Sequence, residues 1–376
     1  MINIIGEEVD NAYLKEVSKV TINHELVAEM GKELKLVFTP LHGTGKMLGE
    51  KALKQAGFEK FVIEPSQAVA DPNFSTVKSP NPEEHSAFEY AMKLGKKEDA
   101  DLLIATDPDA DRLGAAVRMP NGEYQVLTGN QIGAIMTQYI LTAHKNAGTL
   151  KENAAIVKSI VSSELPAAIA KSFGVTTFNV LTGFKFIAEK IQLFEDTGSN
   201  TFMFGFEESY GYLVKSFVRD KDAIQALVLL AEVAAFYKKQ GKTLYDALQE
   251  IFAEFGYYAE KTISVTMSGL EGAAKIKALM ATFREKAPTH FADVAVEVTE
   301  DFQALTKTHV DGTVEKLTTP PSNVLKYILA DESWIAVRPS GTEPKIKFYI
   351  GVKAESSEAA AQKIKDLQAA IEELTA

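Results

Sequence analysis

Three aspartates occupy every second position in the segment TDPDADR, residues 106–112. The segment directly follows the apolar run ADLLIA, and alternate residues of an extended or gently turning chain project from one side. Asp107, Asp109 and Asp111 would therefore lie close together, and a bound cation is the usual way to offset their repulsion. Oxygen-only ligands favour a hard ion, which predicts a Mg²⁺ site. The alternatives are an acidic surface turn and an EF-hand loop, but Arg112 stands where an EF-hand needs glycine.

A second segment, RPSGTEP at residues 338–344, lies between the strand-like runs SWIAV and KIKFYI. Arg338 offers a forked donor, Ser340 and Thr342 offer hydroxyls, and Gly341 lets backbone N–H groups approach an anion. This combination suits a phosphate dianion. A plain hairpin turn built from proline and glycine is the alternative.

A third segment, GFEESYGYL, places Glu207 and Ser209 in a turn after an apolar strand. Carboxylates accept pairs of hydrogen bonds from adjacent sugar hydroxyls, so the turn could bind a hexose. A solvated acidic turn is an equally good interpretation. Downstream, VRDKDA supplies Lys221, and LTGFKFI supplies Gly183 and Lys185 between a strand and a helix.

Length and composition limit the class of protein. At 376 residues the chain exceeds one ordinary core, so roughly two to four domains are expected. Lys and Arg total 40 against 51 Asp and Glu, and the net charge of −11 disfavours nucleic acid as a partner. The absence of cysteine excludes disulfides and thiolate metal sites, so any ligands are oxygen or nitrogen atoms.

Neither the start of the chain nor its longest apolar stretch predicts a membrane segment. MINIIGEEVD has no basic region and meets two glutamates before any apolar run long enough for a signal peptide. AIQALVLLAEVAAF is interrupted by Gln225 and Glu232 and is shorter than the roughly 18 apolar residues that a span needs. We expect no membrane partner and, by default, a cytoplasmic location.

Alternating strand-like and helical patterns predict an α/β fold that positions these segments. KLVFTPLHGTG, GKMLGEKALKQAGF and KFVIEP form a βαβ pattern, and Asn121-Gly122 marks a later hairpin turn. A second alternating unit follows, and GYYAEKTISVTMSG begins a pattern of strands, helix and strands. We predict two consecutive α/β domains with mixed, mainly parallel sheets over 1–125 and 126–255. A smaller α+β C-terminal domain is predicted over 256–376.

Taken in order, TPLHGTG, DPDADR, TGFKFI, FEESYG and RPSGTEP resemble the α-D-phosphohexomutases, and most of all their bacterial phosphoglucomutase branch. The resemblance covers nearly the whole chain. It implies the second, third and fourth of four domains around one cleft, with the first domain and its phosphorylated serine absent. Ser79 of SPNP is interpreted as structural because Pro80 replaces the histidine of the family's serine loop.

The resemblance also implies a role for each segment. Asp107, Asp109 and Asp111 would hold Mg²⁺, and Arg112 would help to neutralise the transferring phosphoryl group. The residues implied to bind the substrate are Thr182, Gly183, Phe184, Glu207, Ser209, Lys221, Arg338, Ser340, Gly341 and Thr342. The general acid or base stays open among His42, Arg112 and Lys185.

The function that the resemblance implies is interconversion of glucose 1-phosphate and glucose 6-phosphate through a bisphosphate intermediate in the complete enzyme. Hexose phosphates and bisphosphates are the expected ligands. The chain alone is expected to be inactive unless the missing N-terminal domain acts in trans. The alternatives are a phosphomannomutase or dual-specificity mutase, and a non-catalytic module that binds sugar phosphates.

Overall fold

The computed structural model describes residues 3–267, 271–340 and 344–375. The chain divides into two compact units, Met1–Ile251 and Phe252–Ala376. The predicted division into residues 1–125, 126–255 and 256–376 stays a prediction. Within the described ranges, no helix has both the length and the apolar character needed to cross a membrane.

The first sheet of the first unit has the strand order β2-β1-β3-β4-β5. Its strands are β1 (Leu36–Thr39), β2 (Phe61–Ile63), β3 (Leu102–Thr106), β4 (Leu113–Arg118) and β5 (Tyr124–Val126). The helices of this segment are α1 (Glu7–Val17), α2 (His24–Met30), α3 (Gly45–Ala56) and α4 (Glu89–Glu98). β1 runs parallel to β2 and β3, whereas β4 and β5 form the antiparallel hairpin that Asn121-Gly122 predicted. β3 is buried along its whole length, as its continuous apolar run requires.

The second sheet of this unit has the order β7-β6-β8-β9. Its strands are β6 (Ala154–Ser159), β7 (Thr176–Val180), β8 (Thr201–Glu207) and β9 (Gly211–Leu213). The helices are α5 (Gly129–Asn146), α6 (Leu165–Ser172), α7 (Phe184–Thr197), α8 (Ala223–Lys239) and α9 (Leu244–Phe255). β6 is parallel to β7 and β8, and β9 turns back antiparallel to β8.

Helix α8 accounts for the union of the two sheets in one unit. It is apolar on nearly every face, so it is stable only when it is covered all round. It packs against α2 and α3 beside the first sheet and against α5 and β9 of the second. The loop that leads into α8 is therefore held close to both sheets.

The second unit is built on an antiparallel sheet with the order β10-β17-β16-β15-β12-β13-β14, and β11 pairs with β12. Its strands are β10 (Tyr257–Thr266), β11 (His290–Phe291), β12 (Val294–Asp301), β13 (Thr306–His309), β14 (Val314–Lys316), β15 (Leu325–Leu329), β16 (Trp334–Pro339) and β17 (Lys345–Ala354). Helices α10 (Gly272–Glu285) and α11 (Ser357–Thr375) contribute to its core. The predicted fold class, two mixed α/β sheets followed by an α+β unit, is confirmed.

Candidate metal and sugar-phosphate site

The three aspartates of the predicted metal site lie where β3 ends and the chain turns back into β4. Asp107 Oδ1 accepts hydrogen bonds from the backbone N–H groups of Asp111 (3.1 Å) and Arg112 (2.9 Å), so the loop folds around this carboxylate. Ala110 takes the left-handed conformation, with φ 58°, that closes the turn. Oxygens of Asp107, Asp109 and Asp111 all lie within 4.8 Å of one another. A tight turn, rather than an extended segment, brings them together.

The charge of this cluster is poorly compensated at its most buried member. Asp107 is 8% exposed, whereas Asp109 is exposed and Asp111 is half-buried. Burial raises the pKa of Asp107 to about 7, and the charges of Asp111 and Asp109 add to this against an opposing hydrogen bond from the Arg112 amide. A bound divalent cation would offset both the cost of burying the Asp107 charge and its repulsion from Asp109 and Asp111. Three clustered carboxylate oxygens are also ligands that Mg²⁺ accepts, so the residues fit this ion.

Arg112 and a proline-rich segment border the metal loop. The Arg112 guanidinium pairs with Glu83 at 3.0 Å, and its Nε lies 3.7 Å from Asp111 Oδ1. A cavity of about 250 Å³ is lined by the aspartate loop together with Pro80 and Asn81. Ser79 of SPNP was interpreted as structural, and neither Pro80 nor Asn81 was predicted as a site residue. The sequence signal for them was the pair Asn81-Pro82, which the acidic residues 83–84 follow.

The predicted sugar loop begins at the end of β8. Glu207 is buried and accepts a 2.6 Å hydrogen bond from the backbone N–H of Gly183, whose φ of 120° is open to glycine but strained for other residues. Burial raises the pKa of Glu207, and the charge of Glu208 adds to that shift. The buried Thr182 hydroxyl finds no hydrogen-bond partner among the described residues. A sugar hydroxyl could satisfy it.

The other acidic residue of this turn is anchored rather than exposed to substrate. Glu208 Oε2 accepts hydrogen bonds from the hydroxyls of Ser159 (2.8 Å) and Ser162 (3.2 Å), both fully buried. Ser209 follows in the turn and is half-buried. This serine pair was not predicted, because nothing in SIVSS, residues 159–163, distinguishes it from a polar loop.

Backbone and side-chain contacts join the metal loop to the sugar loop within the first unit. Arg112 forms an isolated antiparallel bridge with Gly211, and the N–H of Leu113 donates to the Tyr210 carbonyl at 3.0 Å. Lys221 Nζ lies 3.0 Å from Asp111 Oδ2 and 5.8 Å from the centre of the Phe184 ring. The candidate metal ligand Asp111, the predicted sugar loop and the cation Lys221 therefore meet in one place.

Lys221 is fixed by its neighbours. Burial acts against its charged form, but hydrogen bonds to Asp220 and Asp111 outweigh this and raise its pKa. Its stem crosses Gly211 so closely that a Cβ there would lie 2.3 Å from Lys221 Cδ. Lys221 is thus a charged amine at neutral pH with little freedom of movement.

The predicted phosphate loop belongs to the second unit. Arg338 is half-buried near the end of β16, and the N–H of Ser340 donates to the Lys345 carbonyl at 2.8 Å. Gly341 and Thr342 lie outside the described residues. A cavity of about 1030 Å³ borders Pro339 and Ser340 and is otherwise lined mainly by α10.

Three family models match consecutive parts of this chain. Residues 11–121 match the alpha/beta/alpha domain II of phosphoglucomutase/phosphomannomutase, residues 128–255 match its domain III, and residues 270–370 match its C-terminal domain. The chain belongs to the phosphoglucomutase/phosphomannomutase family. The predicted resemblance is confirmed.

Individual relatives agree with this family membership. A phosphoglucomutase of Staphylococcus aureus is 43% identical over 333 residues, which is 88% of this chain and 59% of that enzyme. The chain thus spans about three fifths of the length of this relative. The Paramecium phosphoglucomutase pp63/parafusin has 19% identity and a TM-score of 0.66 over 97% of this chain and 62% of its own. Aspergillus fumigatus N-acetylphosphoglucosamine mutase, solved with GlcNAc-6P and magnesium, has 14% identity and a TM-score of 0.54 over 97% and 71%. The last two show a shared fold.

Two of the candidates for proton transfer in this family member have other partners. His42 is buried, and its Nδ1 lies 2.8 Å from the Val69 carbonyl while Nε2 lies 2.7 Å from the Thr76 hydroxyl. Both ring nitrogens are thus engaged in holding the loop that follows β2. Lys185 is exposed, with its Nζ 4.8 Å from the centre of the Phe186 ring. Arg112, by contrast, borders the aspartate cluster.

Proposed function

We propose that this chain supplies the metal-binding, sugar-binding and phosphate-binding parts of an enzyme that interconverts glucose 1-phosphate and glucose 6-phosphate through a bisphosphate. The observation that carries the proposal is the meeting of Asp111, Lys221 and the Phe184 ring within the first unit. A metal site beside a hexose site is what phosphoryl transfer to a sugar requires, because such catalysis depends mainly on positioning and charge neutralisation. The identity to staphylococcal phosphoglucomutases supports glucose phosphates as the substrates.

Asp107, Asp109 and Asp111 are the proposed Mg²⁺ ligands. When bound, the ion would neutralise charge on the transferring phosphoryl group. Arg112 contributes a second positive charge at the same border of the cavity, where its guanidinium already pairs with Glu83. The magnesium in the Aspergillus fumigatus mutase supports this choice of ion.

The sugar is proposed to bind between the turns that follow β7 and β8. Glu207 would accept hydrogen bonds from adjacent sugar hydroxyls, and the Ser209 hydroxyl would donate to or accept from them. Phe184 would offer an apolar face to the sugar ring. Thr182 and Gly183 complete the wall, since the N–H of Gly183 already fixes the Glu207 carboxylate. Lys221 would approach a negatively charged oxygen of the substrate.

The phosphate that is not transferred is proposed to bind at the loop after β16. Arg338 can donate two parallel hydrogen bonds, and the hydroxyls of Ser340 and Thr342 together with the Gly341 amide would supply the others.

We further propose that the phosphoryl-carrying serine lies outside these 376 residues. The matches to domains II, III and the C-terminal domain of the family support this. Alone, the 376-residue polypeptide would bind a hexose bisphosphate without turning over a hexose phosphate. An N-terminal domain supplied in trans would then restore turnover.

The first test is calorimetric binding of glucose 1,6-bisphosphate in the presence of Mg²⁺. We expect saturable binding that is lost in Asp109→Ala and kept in Asp196→Ala, a matched exposed aspartate on α7. Mannose 1,6-bisphosphate is titrated in parallel, and tighter binding of the mannose compound would contradict the proposed substrate. Absence of binding by the unmodified chain would refute the site.

The second test separates an enzyme part from a module that only binds sugar phosphates. Glucose 1-phosphate conversion is measured with a bisphosphate primer, first with this polypeptide and then after addition of the N-terminal domain of a related phosphoglucomutase. Restored turnover supports the enzyme, and its absence favours the binding module. Turnover by the polypeptide alone would place the nucleophile inside it and overturn that part of the proposal.

A further inference from the structure

A tyrosine of α1 contacts the residue that follows Lys221. The Tyr13 hydroxyl lies 2.8 Å from Asp222 Oδ1 and 2.9 Å from Oδ2, across 209 positions of sequence. We propose that Tyr13 is a positioning residue, which acts through Asp222 to hold the Lys221 ammonium beside the metal loop. The inference rests on the proposed function, since it gives Lys221 its role toward substrate.

Asp222 can couple Tyr13 to Lys221 because hydrogen bonds on several sides fix its backbone and side chain to one another. It is the N-cap of α8, where its Oδ1 accepts from the N–H groups of Ile224 (3.0 Å) and Gln225 (3.1 Å). The Gln225 side-chain amide donates to Oδ2 at 3.0 Å, and the N–H of Asp222 donates to the Tyr212 carbonyl at 3.0 Å. Asp222 itself is buried. A shift of this residue would therefore move the chain on its N-terminal side as well.

The Lys221 side chain has little conformational freedom with which to absorb such a shift. It is only 17% exposed, and its ammonium lies 3.0 Å from both Asp111 and Asp220. The close passage over Gly211 blocks one side of the stem. A small displacement of the backbone at Lys221 is consequently passed on to its ammonium group rather than taken up by rotation of the stem.

Helix α1 contacts the segment that precedes α8 at a second residue besides Asp222. The Tyr13 ring meets Phe217 edge-on, with ring centres 5.8 Å apart. α1 is tied in turn to α3 by an ion pair of 3.4 Å between Asp10 and Lys51. Tyr13 thus contacts residues 217–222 at both ends, at Phe217 and at Asp222.

A purely structural role for Tyr13 would be the docking of α1 or support of the α8 cap. The cap keeps its two backbone donors and the Gln225 amide when the tyrosine hydroxyl is removed, so Tyr13→Phe is expected to fold. Tyr139→Phe is the matched control. The Tyr139 hydroxyl also donates to a buried carboxylate of α8, that of Glu232 at 2.6 Å, but two to three helical turns further along.

The first arm of the test is a double-mutant cycle on binding of Mg²⁺ and glucose 1,6-bisphosphate. We expect Tyr13→Phe to weaken binding about fivefold and Lys221→Met about twentyfold, since a hydrogen bond to a charged group is involved in each. The double variant should bind no more weakly than Lys221→Met, because Tyr13 acts only through that lysine. Additive losses would overturn the inference. Tyr139→Phe should bind like the unmodified chain.

The second arm needs no ligand. Amide hydrogen exchange of residues 216–222 should be about tenfold faster in Tyr13→Phe and unchanged in Tyr139→Phe. Unchanged exchange in Tyr13→Phe would refute the positioning role, whereas failure of the unmodified chain to bind the bisphosphate would refute only the proposed function. If Tyr13→Phe does not fold, Asp222→Ser replaces it in both arms with the same expectations, because serine keeps an oxygen for the cap but has a shorter side chain that ends before the position of the carboxylate oxygens.

Discussion

Replacing Asp107 by asparagine should make the metal-free protein more stable at alkaline pH while it abolishes metal binding. The two side chains have nearly the same shape, and the asparagine oxygen can still accept from the amides of Asp111 and Arg112. The change therefore removes the charge and leaves the loop intact. Stability and function should move in opposite directions.

The magnitude follows from the raised pKa of Asp107, about 7 against an ordinary 3.8. Because the folded state binds the proton more tightly, Asp107 costs nothing below about pH 3.8, and its cost grows as the pH rises towards 7. About three pKa units correspond to about 4 kcal/mol above pH 7. We expect Asp107→Asn to stabilise the first unit by about 4 kcal/mol at about pH 8 and by about 2 kcal/mol at about pH 5.5.

The assay is scanning calorimetry of metal-free protein at these two pH values, with and without Mg²⁺. The single tryptophan, Trp334, lies in the second unit, so its fluorescence identifies the transition of that unit. The transition of the first unit should shift in Asp107→Asn, and Mg²⁺ should raise it in the unmodified chain alone. The fluorescence transition serves as an internal reference.

Asp109→Asn is the control within the same loop. Asp109 is exposed, so its replacement relieves only repulsion and should stabilise the metal-free protein much less. A destabilised Asp107→Asn at about pH 8 would refute the reasoning. So would a stability difference that stays constant between the two pH values.

Three further substitutions test contacts outside the metal loop. Glu232→Leu should destabilise the first unit by about 3 kcal/mol in thermal unfolding, because it strands two backbone amides at residues 22–23 and the Tyr139 hydroxyl. His42→Phe should cost about 2 kcal/mol by the same measurement, since the Val69 carbonyl and the Thr76 hydroxyl each lose a hydrogen-bond partner. An unchanged stability would show that the loop needs no such support. Gly351→Ala should destabilise only the second unit, by about 2 kcal/mol, because a Cβ there would lie 2.2 Å from the Trp334 ring; tryptophan fluorescence during unfolding reports this directly.

The aspartate cluster could be predicted from sequence because its geometry is local. Three carboxylates within five residues meet whether the chain is extended or turned, provided that a buried strand fixes one end. The fold class was equally accessible, since continuous apolar runs alternate with helical patterns through the first unit. What the spacing did not reveal is the left-handed turn at Ala110, for which no glycine or asparagine gives a signal.

The sequence pattern did not predict contacts between segments that lie far apart in the chain. Lys221 was predicted only as a cation near the sugar loop. Its partner Asp111 lies 110 positions earlier, in the turn between β3 and β4. His42 looked suited to proton transfer, but the chain folds both of its nitrogens against the loop after β2. Residue type indicates what a side chain can do. Its partners depend on packing that a single sequence does not specify.

The position of Lys221 shows why such pairings arise where they do. Lys221 belongs to the loop that leads into α8, and α8 packs on β3 and β4 of the first sheet and on β9 of the second. Residues 214–222 join β9 to α8 and end in the Asp222 cap, so a lysine one residue before the cap is held at the junction of the two sheets. Placed one turn later, the same lysine would lie within the buried body of α8, where its charge would go unpaired at high cost.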